Sequence, residues 1–202
     1  MGNQLPSTPP PSRRDLIGQA AAEIVGTEGL RALTHRAVDA RAGIPAGSTS
    51  YYARTRADLI NLVVDRLAAG TLAEVDVRSP MPGEGLPAEG EGRIEVVAAA
   101  LTDLLATLEG RDVEARARYV LLGELQVEES SWQILAAPQR VAEGALAAAE
   151  RAWGLLEVED PAGRAQELLM LLDGLLFQRV IARRTVPVGP IILAYLRGVV
   201  RP

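Results

Sequence analysis

Apolar residues recur at helical spacing almost from the start of this chain. Over residues 13–27, Leu16, Ile17, Ala20, Ala21, Ile24 and Val25 repeat with a 3.6-residue period, which predicts a first helix with Gly26 and Gly29 bracketing its end. Leu30 and Leu33 follow in the connection, where they can plug a small core. Thr34 is placed to cap a short helix over 35–42, because its hydroxyl can accept an orphan backbone N–H. Gly43 can take the left-handed conformation that such a helix end needs. Pro45 suits the first turn of the next helix, over 46–52, where its missing N–H costs little. A long fourth helix runs from about Arg56 to Val77, with Leu59, Ile60, Leu62, Val63, Leu67 and Leu72 on its apolar side.

Residues 79–92 break the pattern. Three prolines and four glycines in 14 positions cannot sustain a helix, so the segment reads as a flexible loop. Beyond it the periodicity predicts helices near 93–109, 112–128, 131–136, 138–155, 161–184 and 188–200, with Pro138, Pro161, Pro187 and Pro190 near their starts. No alternating pattern of useful length is present, although Val186 to Leu193 is ambiguous between strand and helix. The expected fold class is therefore all-α. Residues 1–12, with four prolines and no apolar core, read as a disordered tail rather than a secretory signal.

Composition narrows the chemistry. The 202 residues include no cysteine and one histidine, which excludes a disulfide framework, thiolate metal sites and multi-histidine zinc sites. The absence of cysteine fits a reducing cytoplasm, the expected location. No segment reaches the roughly 20 apolar residues of a bilayer span; the most apolar run, Leu168 to Phe177, carries Asp173. No metal-ligand cluster, Gly-rich phosphate loop or nucleophile–base pair is visible, so neither an enzyme nor a cofactor is expected. Charge is unevenly spread. Residues 1–56 hold seven arginines against four acids, and the rest holds 14 against 22, so a unit of +3 precedes a body of −8. That split fits local contact with DNA while the acidic body stays away from phosphate.

Residues 34–52 then gain a meaning. A capped short helix stops at Gly43, and a second begins within a few residues and ends in Tyr51 and Tyr52. This is a helix-turn-helix pattern, whose second helix enters the DNA major groove. Asp39 falls where such motifs usually keep a small alanine between the helices. An unpaired buried carboxylate would be costly, so it either tilts outward or pairs with a nearby arginine such as Arg36.

The segment 13–77 resembles the N-terminal domain of the tetracycline-repressor (TetR) family of transcriptional regulators. The resemblance is carried by Arg-Arg-Asp at 13–15, Ala-Ala-Ala-Glu-Ile-Val at 20–25, Glu-Gly-Leu-Arg-Ala-Leu-Thr at 28–34, Ala-Gly-Ile-Pro-Ala-Gly-Ser-Thr-Ser-Tyr-Tyr at 42–52 and Arg-Ala-Asp-Leu at 56–59. It implies a three-helix DNA-binding domain over 13–56, then a helical regulatory and dimerisation domain over 57–202. It also implies the partners: double-stranded operator DNA, a second copy of the chain and a small effector. His35, Ser48, Tyr52 and Arg56 become phosphate-side candidates. Arg36, Gly47, Thr49 and Tyr51 become base-edge candidates, Arg36 toward guanine and Thr49 toward a thymine methyl. Thr34 can cap, contact DNA or both. Ala46 stands where the family often has a polar residue, and Ala53 where a phenylalanine is common, so the recognition helix is short of side chains that read bases.

The run from Leu168 to Ile181 is apolar on almost every side, and Ala142 to Ala152 is rich in alanine. Together they suggest a four-helix dimer interface through Ala145, Leu146, Ala149, Leu168, Leu169, Leu172, Leu175 and Leu176; the alternative is a wholly intramolecular core. Effector-lining candidates are Leu101, Leu105, Tyr119, Leu122, Trp132 and Phe177, favouring a hydrophobic or amphipathic molecule. The expected function is a homodimeric repressor released from its operator by that molecule. The alternatives are a small metal-free helical enzyme, a non-specific architectural DNA binder, and a regulator that activates or lacks an effector.

Overall fold

The computed structural model describes residues 12–78, 87, 90–125 and 136–200. Among these residues the chain forms nine α-helices, one short 3-10 turn and no strand. The helices are α1 (Arg13–Glu28), α2 (His35–Arg41), α3 (Ser48–Tyr52), α4 (Arg56–Arg78), α5 (Glu91–Gly110), α6 (Asp112–Leu125), α7 (Ala136–Leu155), α8 (Pro161–Val180) and α9 (Val188–Val200).

Local chemistry sets most of these starts. Ser12 and Asp15 form a reciprocal capping box at α1: the Asp15 N–H donates to the Ser12 hydroxyl oxygen at 3.2 Å, and the Ser12 N–H donates to the Asp15 carboxylate at 3.0 Å. Thr55 and Asp58 repeat the device at α4, with the Thr55 N–H on the Asp58 carboxylate at 2.9 Å and the Asp58 N–H on the Thr55 hydroxyl at 3.1 Å. Asp160 caps α8 through the Gly163 N–H at 3.1 Å, and Pro161 follows at the first helical position. The ambiguous stretch after Val186 is helical from Val188 onward.

Several boundaries differ from the sequence expectation. The second helix of the motif starts at Ser48 rather than 46, and Pro45 lies in the turn before it. Helix α5 begins at Glu91, inside the segment expected to be loop, and α8 ends at Val180 rather than 184. The helix expected over 131–136 and the end of the one expected over 112–128 fall outside the described residues, as does most of 79–92.

Two apolar clusters organise the helices. One gathers Ile17, Ile24 and Val25 of α1 with Leu30, Leu33, Val38 and Ile44, the Leu59–Val64 part of α4, and Ala117 and Leu121 of α6. As expected, Leu30 and Leu33 plug this core. The other joins α5, α7, α8 and α9 around Val97, Trp153, Leu168, Ile192 and Leu196. Helix α1 packs on both α4 and α6, and α4 packs in turn on α7. The front unit is thus seated directly on the body. Where α1 meets α6 the helices approach so closely that a side chain at Gly26 would collide with the Val113 carbonyl. Beside this joint, Arg111 bridges Gly70 and Glu114, donating to the Gly70 carbonyl at 2.9 Å, while Arg66 reaches Glu114 at 3.2 Å. No helix among the described residues is long and apolar enough to cross a membrane.

Candidate nucleic-acid interface

Helix α3 has five residues, too few to persist alone in water. Its conformation is imposed by its neighbours. Thr34 caps α2 as expected, accepting the Ala37 N–H at 3.2 Å. Gly43 turns the chain with φ of 63°. Gly47 then adopts φ of 88°, a left-handed conformation that a residue with a Cβ takes at a cost, and this delays the start of α3 to Ser48. Its far end is tied by the His35 Nε2–H, which donates to the Ala53 carbonyl at 2.8 Å.

Asp39 neither tilts outward nor pairs with Arg36. It is 4% exposed and sits between α2 and α3. Its carboxylate accepts the Gly47 N–H at 2.7 Å, the Thr49 N–H at 2.8 Å and the Thr49 hydroxyl at 2.6 Å. Burial pushes its carboxyl up, but the bonds from Thr49 and Gly47 outweigh that and, with the nearby His35, hold it below the usual carboxylate range. A buried acid is tolerable here because three donors satisfy it.

Internal hydrogen bonds engage four of the expected DNA contacts. Thr49 is 0% exposed with its hydroxyl on Asp39, so it cannot offer a methyl to thymine. The Ser48 hydroxyl donates to the Pro45 carbonyl at 2.6 Å, which removes its proton from phosphate duty. The ring N–H of His35 is already used on Ala53. The Arg56 guanidinium donates to the carbonyls of Leu33 and Leu30, each at 2.8 Å, and so fastens the 3-10 turn to the start of α4, while the residue stays exposed with further N–H donors. Ala53, although small, is buried beneath the end of α3.

Other candidates face outward. Arg36, Ala46 and Gly47 are exposed, as is Thr34, and Tyr51 is 83% exposed with Tyr52 against it edge-to-face at 5.1 Å. Arg14 and Arg41 are paired within the protein, to Asp65 at 3.0 Å and Glu28 at 2.6 Å. Sequence reasoning missed Ser50 and Arg54, both exposed beside Tyr51 and Tyr52. The signal was the i, i+4 pair Thr49 and Ala53: taken as the inward side of α3, it turns Ser50 outward.

A second candidate site lies in the body. A cavity of about 50 Å³ opens between α4, α5, α7 and α8. Its walls include Val75 of α4, Val97 and Leu101 of α5, Ala145 and Ala149 of α7, and Leu168 and Leu172 of α8. Of the six expected lining residues, only Leu101 is among them. Leu105 is buried in the core beside it. Tyr119 and Phe177 stack edge-to-face at 5.4 Å at the surface, where Leu122 is also exposed. Burial pushes the Tyr119 hydroxyl up to about 12, and it donates to the Asp173 carbonyl at 3.2 Å. Trp132 lies outside the described residues.

The expected dimer residues are also redistributed. Ala149, Leu168, Leu172, Leu175 and Leu176 are buried within the single chain. Ala145, Leu146 and Leu169 are partly buried, and Ala145 and Leu169 line the cavity. Alanines of α7 line the cavity. The exposed large apolar residues of α8 and its C-cap are Met170, Phe177 and Ile181, on one stripe.

No protein-family model and no curated protein matches the chain. Solved structures do. The multidrug binding protein EbrR, in complex with imidazole, shares 25% identity at a TM-score of 0.64, over 94% of this chain and 95% of its own. A protein described as a transcriptional regulator from Streptomyces coelicolor A3(2) superposes with a TM-score of 0.71 at 20% identity, over 95% of this chain and 100% of its own. A protein described as a TetR-family transcriptional regulator from Rhodococcus sp. reaches 0.66 at 20% identity, over 93% and 98%. The chain has the TetR-family fold. In TetR-family terms, the front unit built on α1–α3 carries the helix-turn-helix, and the remaining helices form the body that holds the cavity. Complexes of EbrR with proflavin and ethidium are also among the similar structures.

Proposed function

We propose that the chain is a DNA-binding transcriptional regulator that works as a homodimer and leaves its operator when an apolar effector binds. Residues 13–56 form its DNA-binding unit and 57–202 its regulatory and dimerisation unit. One observation carries this reading: α3 is held at both ends by internal hydrogen bonds while Arg36, Ser50 and Tyr51 stay exposed. Arg36 and Tyr51 supply base-edge groups, with Thr34, Ser50, Tyr52 and Arg54 toward the backbone. Similarity to regulators and to a ligand-binding protein of the same fold supports it.

A salt titration on a duplex selected from random sequence tests the reading. The wild type is expected to bind with log K falling linearly in log salt. Arg54→Ala should reduce that slope by about 1, the share of one phosphate contact. Arg56→Ala should lower thermal stability, because its guanidinium ties down the Leu30 and Leu33 carbonyls. Failure of the wild type to select any sequence sinks the proposal.

The α8 stripe supports dimerisation. Met170 is 70% exposed, and Phe177, Ile181 and the neighbouring Leu122 of α6 extend the apolar surface. Paired copies would set two recognition helices about 34–36 Å apart, one turn of DNA. Met170→Glu combined with Phe177→Glu should sediment as a monomer at concentrations where the wild type is a dimer. A double variant that stays dimeric places the interface elsewhere.

The cavity supports a slender aliphatic effector. Among the described residues its walls carry neither ring nor charge, so a cationic aromatic ligand of the kind EbrR binds finds no counterpart. A ligand there would press on Val75 of α4, the helix whose other end holds the 3-10 turn through Arg56. Tighter binding to a form with displaced recognition helices would release DNA.

A further inference from the structure

The α2–α3 contact holds a charge where this architecture ordinarily needs none. A motif of this kind can join its helices by apolar packing alone. Here Asp39 and Thr49 replace that contact with a buried carboxylate that uses both oxygens, one on Gly47 and the other on the N–H and hydroxyl of Thr49. The anchors fall on either side of Ser48, whose own N–H is taken by the Pro45 carbonyl at 3.1 Å. Gly47 brings no side-chain cap of its own to α3. The first turn of α3 therefore takes its position from a residue on another helix. The same bonds occupy the Gly47 and Thr49 N–H groups.

Resting on the DNA-binding reading above, we propose that Asp39 is a positioning residue for base recognition. By fixing the backbone at Gly47 and Thr49, it sets where Tyr51 stands against the base edges and Ser50 against the DNA backbone. Phosphate attraction is left to exposed groups such as Arg54. Asp39 is thereby a determinant of sequence discrimination that never touches DNA.

The test uses the full-length protein and the duplex it selects, against a scrambled duplex at one salt concentration. Asp39→Asn keeps the size but places an amide NH₂ against backbone donors. It should cut the ratio of selected to scrambled affinity by on the order of tenfold, the weight of one base contact. Scrambled-site affinity and the salt slope should stay as in the wild type. Asp39→Ala combined with Thr49→Leu substitutes an apolar contact; it should restore thermal stability without restoring the ratio. A purely structural role would move stability and leave the ratio of the folded protein unchanged. An Asp39→Asn or double variant with the wild-type ratio overturns the inference. Should both variants fail to fold, amide exchange of the wild type decides: Gly47 and Thr49 amides protected like the core support the clamp, and amides exchanging at the rate of an open loop overturn it. A wild type that selects no site overturns the DNA-binding reading and this inference together, whereas loss of the inference alone leaves wild-type selection intact.

Discussion

Leu168→Ala is expected to lose about 4 kcal/mol of folding stability, in the upper half of the range for buried leucines. Leu168 is 0% exposed and stands in the apolar cluster of α5, α7, α8 and α9. It also forms a wall of the cavity between α4, α5, α7 and α8. The second fact sets the magnitude. The cost of a deleted leucine grows with the void left behind, and a void that opens onto existing space has least surrounding structure to collapse into it. Against a total stability of about 5–15 kcal/mol, that leaves a marginal protein. Urea unfolding at constant m-value reads it, and the midpoint temperature should fall by roughly 8–16 °C. The enlarged space should also bind a small apolar molecule such as benzene, raising the variant's melting temperature more than the wild type's. A loss near 1 kcal/mol would mean that α7 and α8 close over the gap.

Gly26→Ala sets two effects against each other. Replacing a helical glycine by alanine gains about 1 kcal/mol from backbone propensity. Here the added methyl would lie inside the Val113 carbonyl, with the carbonyl carbon and a side-chain methyl each only 2.9 Å away. Neither carbonyl atom can swing aside as a flexible side chain could. Overpacking of this kind costs about 3 kcal/mol or more, so the clash wins and α1 must part from α6. The expected result is a net loss of about 2 kcal/mol. The ion pairs of Arg66 and Arg111 with Glu114 beside the joint should weaken with it. Thermal unfolding measures the first, and hydrogen exchange along α6 the second. A stabilised Gly26→Ala protein would show that the two helices separate at no cost.

The sequence carried the helices well because their signals are local. Thr34 caps α2, Gly43 turns the chain, and the apolar side of α4 is buried where the periodicity placed it. The helix-turn-helix is legible as a motif, and the internal bonds of its polar groups are not. His35, Ser48 and Arg56 are polar groups in the right stretch of chain, and polar groups there suit phosphate. What the sequence does not display is the supply of nearby acceptor carbonyls at Ala53, Pro45, Leu30 and Leu33, which engage those donors within the chain. Asp39 looked like a liability because its partners are eight and ten residues away, across a turn whose geometry Gly47 decides. The body was harder still. An apolar helix does not announce which side meets its own chain, so Leu168 and Leu172 were read as facing a partner while Met170 and Phe177 do the exposing.

The alanines along α7 give the cavity an unusual kind of adjustability. Its space is defined by what those side chains lack, at Ala145, Ala148, Ala149 and Ala152 as well as at Ala100 of α5. Each of these codons is one nucleotide change from valine, which adds two methyl groups to the wall. Lineages descending from this chain can therefore whittle or reshape the chamber one step at a time. The helix-turn-helix, on other helices, need not change. Under the proposed function, ligand preference and operator preference are then separately heritable traits, free to drift apart while one scaffold keeps them connected.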